Sequence, residues 1–398
     1  MRNTIHIVHV HGKRRCYTKE KRVHFLHFCN FSSHHLHICT LPGLQNSQKQ
    51  PHNLLSENSL TTQRLFFGTL IAKLFQESQS VHYKTGLIIT DFNTIYGQLH
   101  GAEFRTLFSN GKTDGCLVKE KNLLNTPYGD LVPQYETEDM GRRQHKPFYF
   151  YKNGTIKSVP LQSQTLIRTP VGGISAELVT FYESGNLKRV FPLDGKLSGF
   201  WTARNEFALA EEITISSPLG SIRSKFIALQ FYESGALKSL TLWPGEFLSL
   251  TTPAGLIRIR TGIAFHEDGA IRLLEPAGVV RVETPVGTLT AYDNEPQGIH
   301  GDLNSLEFTP EGEIMALKTV SEEITVIDQL GNPHHFSPWL KDNPCGAERK
   351  VVVPMKVRFS KGRIIFEDRQ ESFNMEQCCV EVRPFDRKAS DPSYSCAV

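Results

Sequence analysis

Residues 181–185 read FYESG, and residues 231–235 read FYESG again. Looser copies are FYKNG ending at Gly154, FHEDG at Gly269 and FTPEG at Gly312, with FSNG at Gly111 and FSKG at Gly362. After the glycine of the five full copies come TIKSV, NLKRV, ALKSL, AIRLL and EIMAL. Isoleucine or leucine stands two residues past each glycine, and a basic residue stands three past in four of the five. A second motif alternates with the first: NTPYG (Gly129), RTPVG (Gly172), SSPLG (Gly220), TTPAG (Gly255) and ETPVG (Gly287). The unit is roughly 32 to 35 residues with two turns in each, a period that decides the fold before any local reading. Longer intervals at 129–154, 185–220 and 287–312 read as insertions.

Asn-Gly, Asp-Gly and Ser-Gly supply positive φ at low steric cost, as a tight hairpin demands. A two-residue loop at Ser184-Gly185 predicts Tyr182 opposite Leu187. It likewise sets Tyr151 against Ile156, Tyr232 against Leu237 and His266 against Ile271. In the second motif proline presets φ for a turn and glycine takes the left-handed corner. The chain is therefore expected to be mostly β, a repeated hairpin meander or elongated single-layer solenoid. One feature resists a simple strand: the apolar positions two and five residues past glycine fall on opposite faces under a period of two. Either both faces are partly covered, or a bulge intervenes.

Composition agrees with a β-rich globular chain: 25 Phe and 11 Tyr, with 30 Gly and 21 Pro for turns. The N-terminal fifth is different. Residues 1–80 hold ten Lys/Arg against three Asp/Glu, and nine of the 16 His lie in the first 52 residues. Residues 1–98 are expected to be poorly ordered or a non-native extension, the native protein then starting near Leu99 from a non-Met codon. The one ordered candidate there is TTQRLFFGTLIAKLF (61–75), which suits an amphipathic helix. Residues 99–319 form the repeat array, 320–386 a C-terminal β cap, and 387–398 a flexible tail. Eight cysteines without a C-x-x-C pair, two of them adjacent, suit a reducing compartment. No apolar run reaches the length of a membrane span, and a cytoplasmic location is expected.

The stretch FYESGNLKRVFPLDGKLSGFW (181–201) resembles the bacterial variant of the MORN repeat, with partial likeness at 150–159, 231–240 and 265–274. The resemblance implies a β-hairpin array used for binding, in some cases as the immunity or antitoxin partner of a toxin, with no active site. The Thr-Pro-x-Gly element and the longer unit depart from that pattern.

Three constellations bear on chemistry. Lys157, Lys188, Lys238 and Arg272 recur at one position of the unit, and a regular array lines them up on one face. Such a row suits acidic head groups or nucleic acid, although Glu183, Glu233 and Glu267 on neighbouring positions offset it and nucleic acid is disfavoured by a net charge of only +3. His300, Asp302 and Asn304, in the 296–305 insertion, are the acid–base or metal candidates of a hydrolase. His24, His27, Cys29, His34, His37 and Cys39 have metal-ligand chemistry, but they alternate with Phe and Leu without a glycine-framed knuckle. The segment 199–212 breaks the strand pattern, with Asn205 as the start of a short helix and Phe207 and Leu209 for packing. Trp201 and Trp243 are read as packing residues. No cofactor motif appears. The reading is a non-catalytic module that binds a protein partner, with peripheral binding to an acidic membrane and a metal-dependent or hydrolytic enzyme as the alternatives.

Overall fold

In a computed structural model the described residues are 91–137, 141–198, 201–296, 305–342 and 350–387. They are mostly strand, with the single helix Ala203–Leu209. The first described hairpin, Asp91–Thr94 with Gly97–His100, straddles the expected boundary at 98/99.

A sixteen-stranded antiparallel sheet runs from Glu371–Asn374 at one edge to Ala102–Leu107 at the other. Its strands are taken in chain order, and the segments left out of it form small hairpins of their own. Among those hairpins are Leu124–Thr126 with Gly129–Leu131, Ile213–Ser217 with Gly220–Ser224, and Val280–Thr284 with Gly287–Ala291. The strand Leu248–Thr252 pairs with the first half of Gly255–Phe265, whose second half belongs to the main path. Near the C terminus, Glu322–Ile327 pairs with both Pro333–Phe336 and Cys379–Pro384.

The small hairpins bury their apolar positions in the same core as the main sheet. Ile215, Ile222, Val282 and Leu289 join Phe181, Leu229, Phe231 and Phe265 in one contiguous cluster. Burying such side chains stabilises by about 1.5–3 kcal/mol each before the entropy of ordering is counted.

The pentad turns are not two-residue loops. Tyr182 N–H donates to Asn186 O (2.8 Å), and Gly185 N–H donates to Tyr182 O (3.0 Å), with Gly185 at φ +90. Leu187 therefore lies opposite Phe181, not Tyr182. The same correction sets Ile156 against Phe150, Leu237 against Phe231 and Ile271 against Phe265. One residue further on the strands slip: Arg189 pairs Thr180, and Lys188 is an extra residue with no partner of its own. That β-bulge answers the puzzle of spacing. It rotates the strand by one position, so that Leu187 (2% exposed) and Val190 (0%) both enter the core.

In the Thr-Pro-x-Gly turns the first residue has two roles. Thr169 Oγ1 donates to Gly172 O (2.6 Å) and accepts from Val171 N–H (3.3 Å). Thr126, Ser217, Thr252 and Thr284 do the same. So does Thr94 in TIYG (94–97), a copy that lacks proline and escapes the sequence pattern. Both kinds of turn meet at one edge. A Cβ on Gly269 would lie 3.0 Å from Pro218, and one on Gly312 would lie 3.1 Å from Pro253.

Candidate functional site

The repeated tyrosine has a structural task that explains the spelling FY. Phe181 is buried, while the hydroxyl of the preceding unit's Tyr151 donates to its carbonyl (3.0 Å). Tyr182 donates in turn to Phe231 O (2.9 Å), Tyr232 to Phe265 O (2.8 Å), and His266 Nε2 lies 2.9 Å from Phe308 O. Each phenylalanine carbonyl stands just beyond the last backbone pair between neighbouring hairpins, such as Arg189–Gln230 or Ser239–Ala264. The bulge deprives it of a backbone donor, and the aromatic side chain supplies one. A second link runs alongside: Asn186 Nδ2 donates to Glu233 O (2.9 Å), and Asn153 Nδ2 to Glu183 O (2.8 Å).

The basic positions are the bulge residues themselves. Lys157, Lys188, Lys238 and Arg272 are each the unmatched residue of their strand, and Met315 takes the fifth place. Lys157 Nζ lies 5.7 Å from the centre of the Tyr151 ring, Lys188 5.2 Å from Tyr182, and Lys238 5.3 Å from Tyr232. An ammonium over the face of a tyrosine is attracted by the ring quadrupole. Burial, then Arg189, Lys238 and Lys157, push the Lys188 ammonium below the ordinary lysine range. The row is thus close enough for its members to repel one another. Burial and the Glu233 carboxylate raise the Tyr182 phenol, and burial, Glu183 and Glu233 raise Tyr151. The edge is therefore a row of mixed charges around half-buried aromatic rings.

Two buried ionic clusters were not visible in the sequence, and both tie an insertion to the sheet. Arg142 meets Glu177 through two hydrogen bonds (2.9 and 2.5 Å) and Glu206 through two more (3.1 Å each). Arg143 donates to the carbonyls of Leu161, Gln162 and Glu177. The N–H groups of Asp194 and Gly195 donate to Glu177 and Glu206, as does Trp201 Nε1 to Glu206. Burial raises the Glu177 carboxyl, against the pull of Arg143, the Asp194 N–H and Arg142. The helix that supplies Glu206 is capped by Thr202, and Asn205 closes the capping box rather than starting the helix. Phe207 packs on Trp243 (6.0 Å between ring centres), while Leu209 is exposed rather than packed.

The second cluster centres on Glu275, which is fully buried. Ser305 Oγ donates to it (2.7 Å) and Arg260 lies 3.5 Å away; Arg260 also donates to Asp293 O, and Lys318 pairs with Asp293 (3.1 Å). Burial lifts the Glu275 pKa to about 7. Each carboxylate of these clusters accepts from several internal donors, while Arg260 Nε is buried with no hydrogen-bond partner among the described residues.

His300, Asp302 and Asn304 lie outside the described residues, as do His24, His27, Cys29, His34, His37 and Cys39. Among the described residues no group of three His, Cys, Asp or Glu is placed to hold a metal ion, and no helix is long and apolar enough to cross a membrane. Compared with known families and curated proteins, the chain matches no family model and no curated protein.

Proposed function

We propose that the chain is a non-catalytic repeat module of the MORN type, an open array of hairpins that binds a protein partner along its pentad edge. The observation that carries this is the row of bulged cations, each set over the tyrosine of its own hairpin at three successive units. Aromatic rings held rigid by a hydrogen bond offer contact area at low entropic cost, as protein interfaces favour. The interleaved Glu183 and Glu233 favour a polypeptide with both signs of charge over a polyanion or an acidic bilayer.

Amine-reactive footprinting tests the reading. Lys157, Lys188 and Lys238 are labelled in the purified chain and again in extract of its native cells. Protection of all three that disappears after protease treatment of the extract supports a protein partner. Protection by vesicles of acidic phospholipid, with none from extract protein, overturns it in favour of the membrane.

A further inference from the structure

The aromatic rungs stop at one place. The residue that corresponds to Tyr182 and Tyr232 in the fifth full pentad is Thr309. The backbone around it is the same as in the earlier units. Thr309 N–H donates to Glu313 O (2.9 Å) and Gly312 N–H to Thr309 O (3.0 Å). The next interface again ends one residue short of a phenylalanine, at the Ala316–Arg358 pair before Phe359. A threonine is too short to span to that strand, and among the described residues no side chain donates to the Phe359 carbonyl. At the other end of the row the same position is Phe108, which supplies a ring without a hydroxyl.

A groove of about 840 Å³ opens where the fifth ring would lie. Thr309, Gly312, Ile314, Met315, Phe359 and Met375 line it, with Arg281 and Lys361 balanced by Glu283 and Glu313. Met315 is the fifth bulge residue, so the cation that covers the earlier rings is replaced by a flexible thioether that adapts to aromatic surfaces.

We propose that this groove receives a tyrosine side chain from a partner polypeptide, its ring between Met315 and Met375 and its hydroxyl on the Phe359 carbonyl, completing the row from outside. The balanced rim charge suits a peptide rather than a free anion. The inference rests on the protein-binding reading only for the occupant's being a polypeptide; the groove itself lies past the lysine row.

The test uses the full chain, labelled with ¹³C at the ε-methyls of its five methionines, and N-acetyl-L-tyrosinamide as probe. Titration should shift two of the five methyl signals, assigned to Met315 and Met375 by single Met→Leu variants. N-acetyl-L-phenylalaninamide should bind about 5-fold more weakly, the worth of one hydrogen bond. Thr309→Tyr, or Thr309→Phe if the first does not fold, should abolish both shifts by occupying the ring position between the two methionines from within. Equal affinity for the two probes, or no shift at either methionine in the unaltered chain, overturns the proposal. If the lysines are protected by extract protein while tyrosinamide leaves the methionines unmoved, the groove proposal falls and the binding edge stands.

Discussion

The tyrosine of each pentad is a joint between hairpins more than a core residue. Its ring is half-buried, and its hydroxyl serves a carbonyl that the bulge has left without a backbone donor. Tyr182→Phe should therefore keep the fold and lose roughly 0.5–1.5 kcal/mol of stability in urea denaturation. Glu275 gives a pH prediction. Its folded pKa of about 7 lies above the ordinary glutamate value, so the folded state binds the proton more tightly than the unfolded chain does. The stability this contributes is complete below the ordinary glutamate pKa and is lost as pH rises through about 7. Unfolding midpoints should fall between pH 5 and 8, and Glu275→Gln should flatten that fall. A profile that is unchanged by the substitution would assign the titration elsewhere. Neither role is legible in the letters alone: the phenylalanine–tyrosine pair reads as two apolar residues, and Glu275 sits in ordinary strand sequence, AIRLLEP.

The hairpin is the scale at which the sequence says most. Glycine spacing places every pentad turn and the five Thr/Ser-Pro-x-Gly turns, because positive φ restricts residue choice strongly. The register at the turn is not legible, because a two-residue loop and a three-residue loop followed by a bulge use the same Ser-Gly. They differ in the partner of Leu187 and in whether Lys188 has one, and beyond it both give Arg189 opposite Thr180. Apolar residues at two and five past glycine are the trace the bulge leaves. Deletion of Lys188 should force either Leu187 or Val190 off the core face and cost roughly 2–5 kcal/mol. A deletion variant as stable as the parent would remove the bulge from the account. The ionic staples leave no trace of that kind. Arg142 is 35 residues from Glu177 and 64 from Glu206, and both it and Glu206 lie in insertions outside the repeat. Arg142→Ala should destabilise by about 3–5 kcal/mol, since it leaves two buried carboxylates without their shared cation.

At the scale of the molecule one sheet, covered by hairpins that share its core, carries the cations on one edge. The period in the sequence anticipates this β architecture; that the second kind of turn packs back over the first, proline against glycine, depends on contacts between units that no single repeat spells out. The same period locates the interruption at Thr309, where the letter changes while the backbone of the turn is kept. The stability of Thr309→Tyr tests the central claim most directly, because it asks whether a hydroxyl-bearing ring at this position joins neighbouring hairpins. The account predicts a gain of roughly 0.5–1.5 kcal/mol in urea denaturation, matching in size the loss from Tyr182→Phe. A Thr309→Tyr chain less stable than its parent, with Tyr182→Phe neutral, would contradict it.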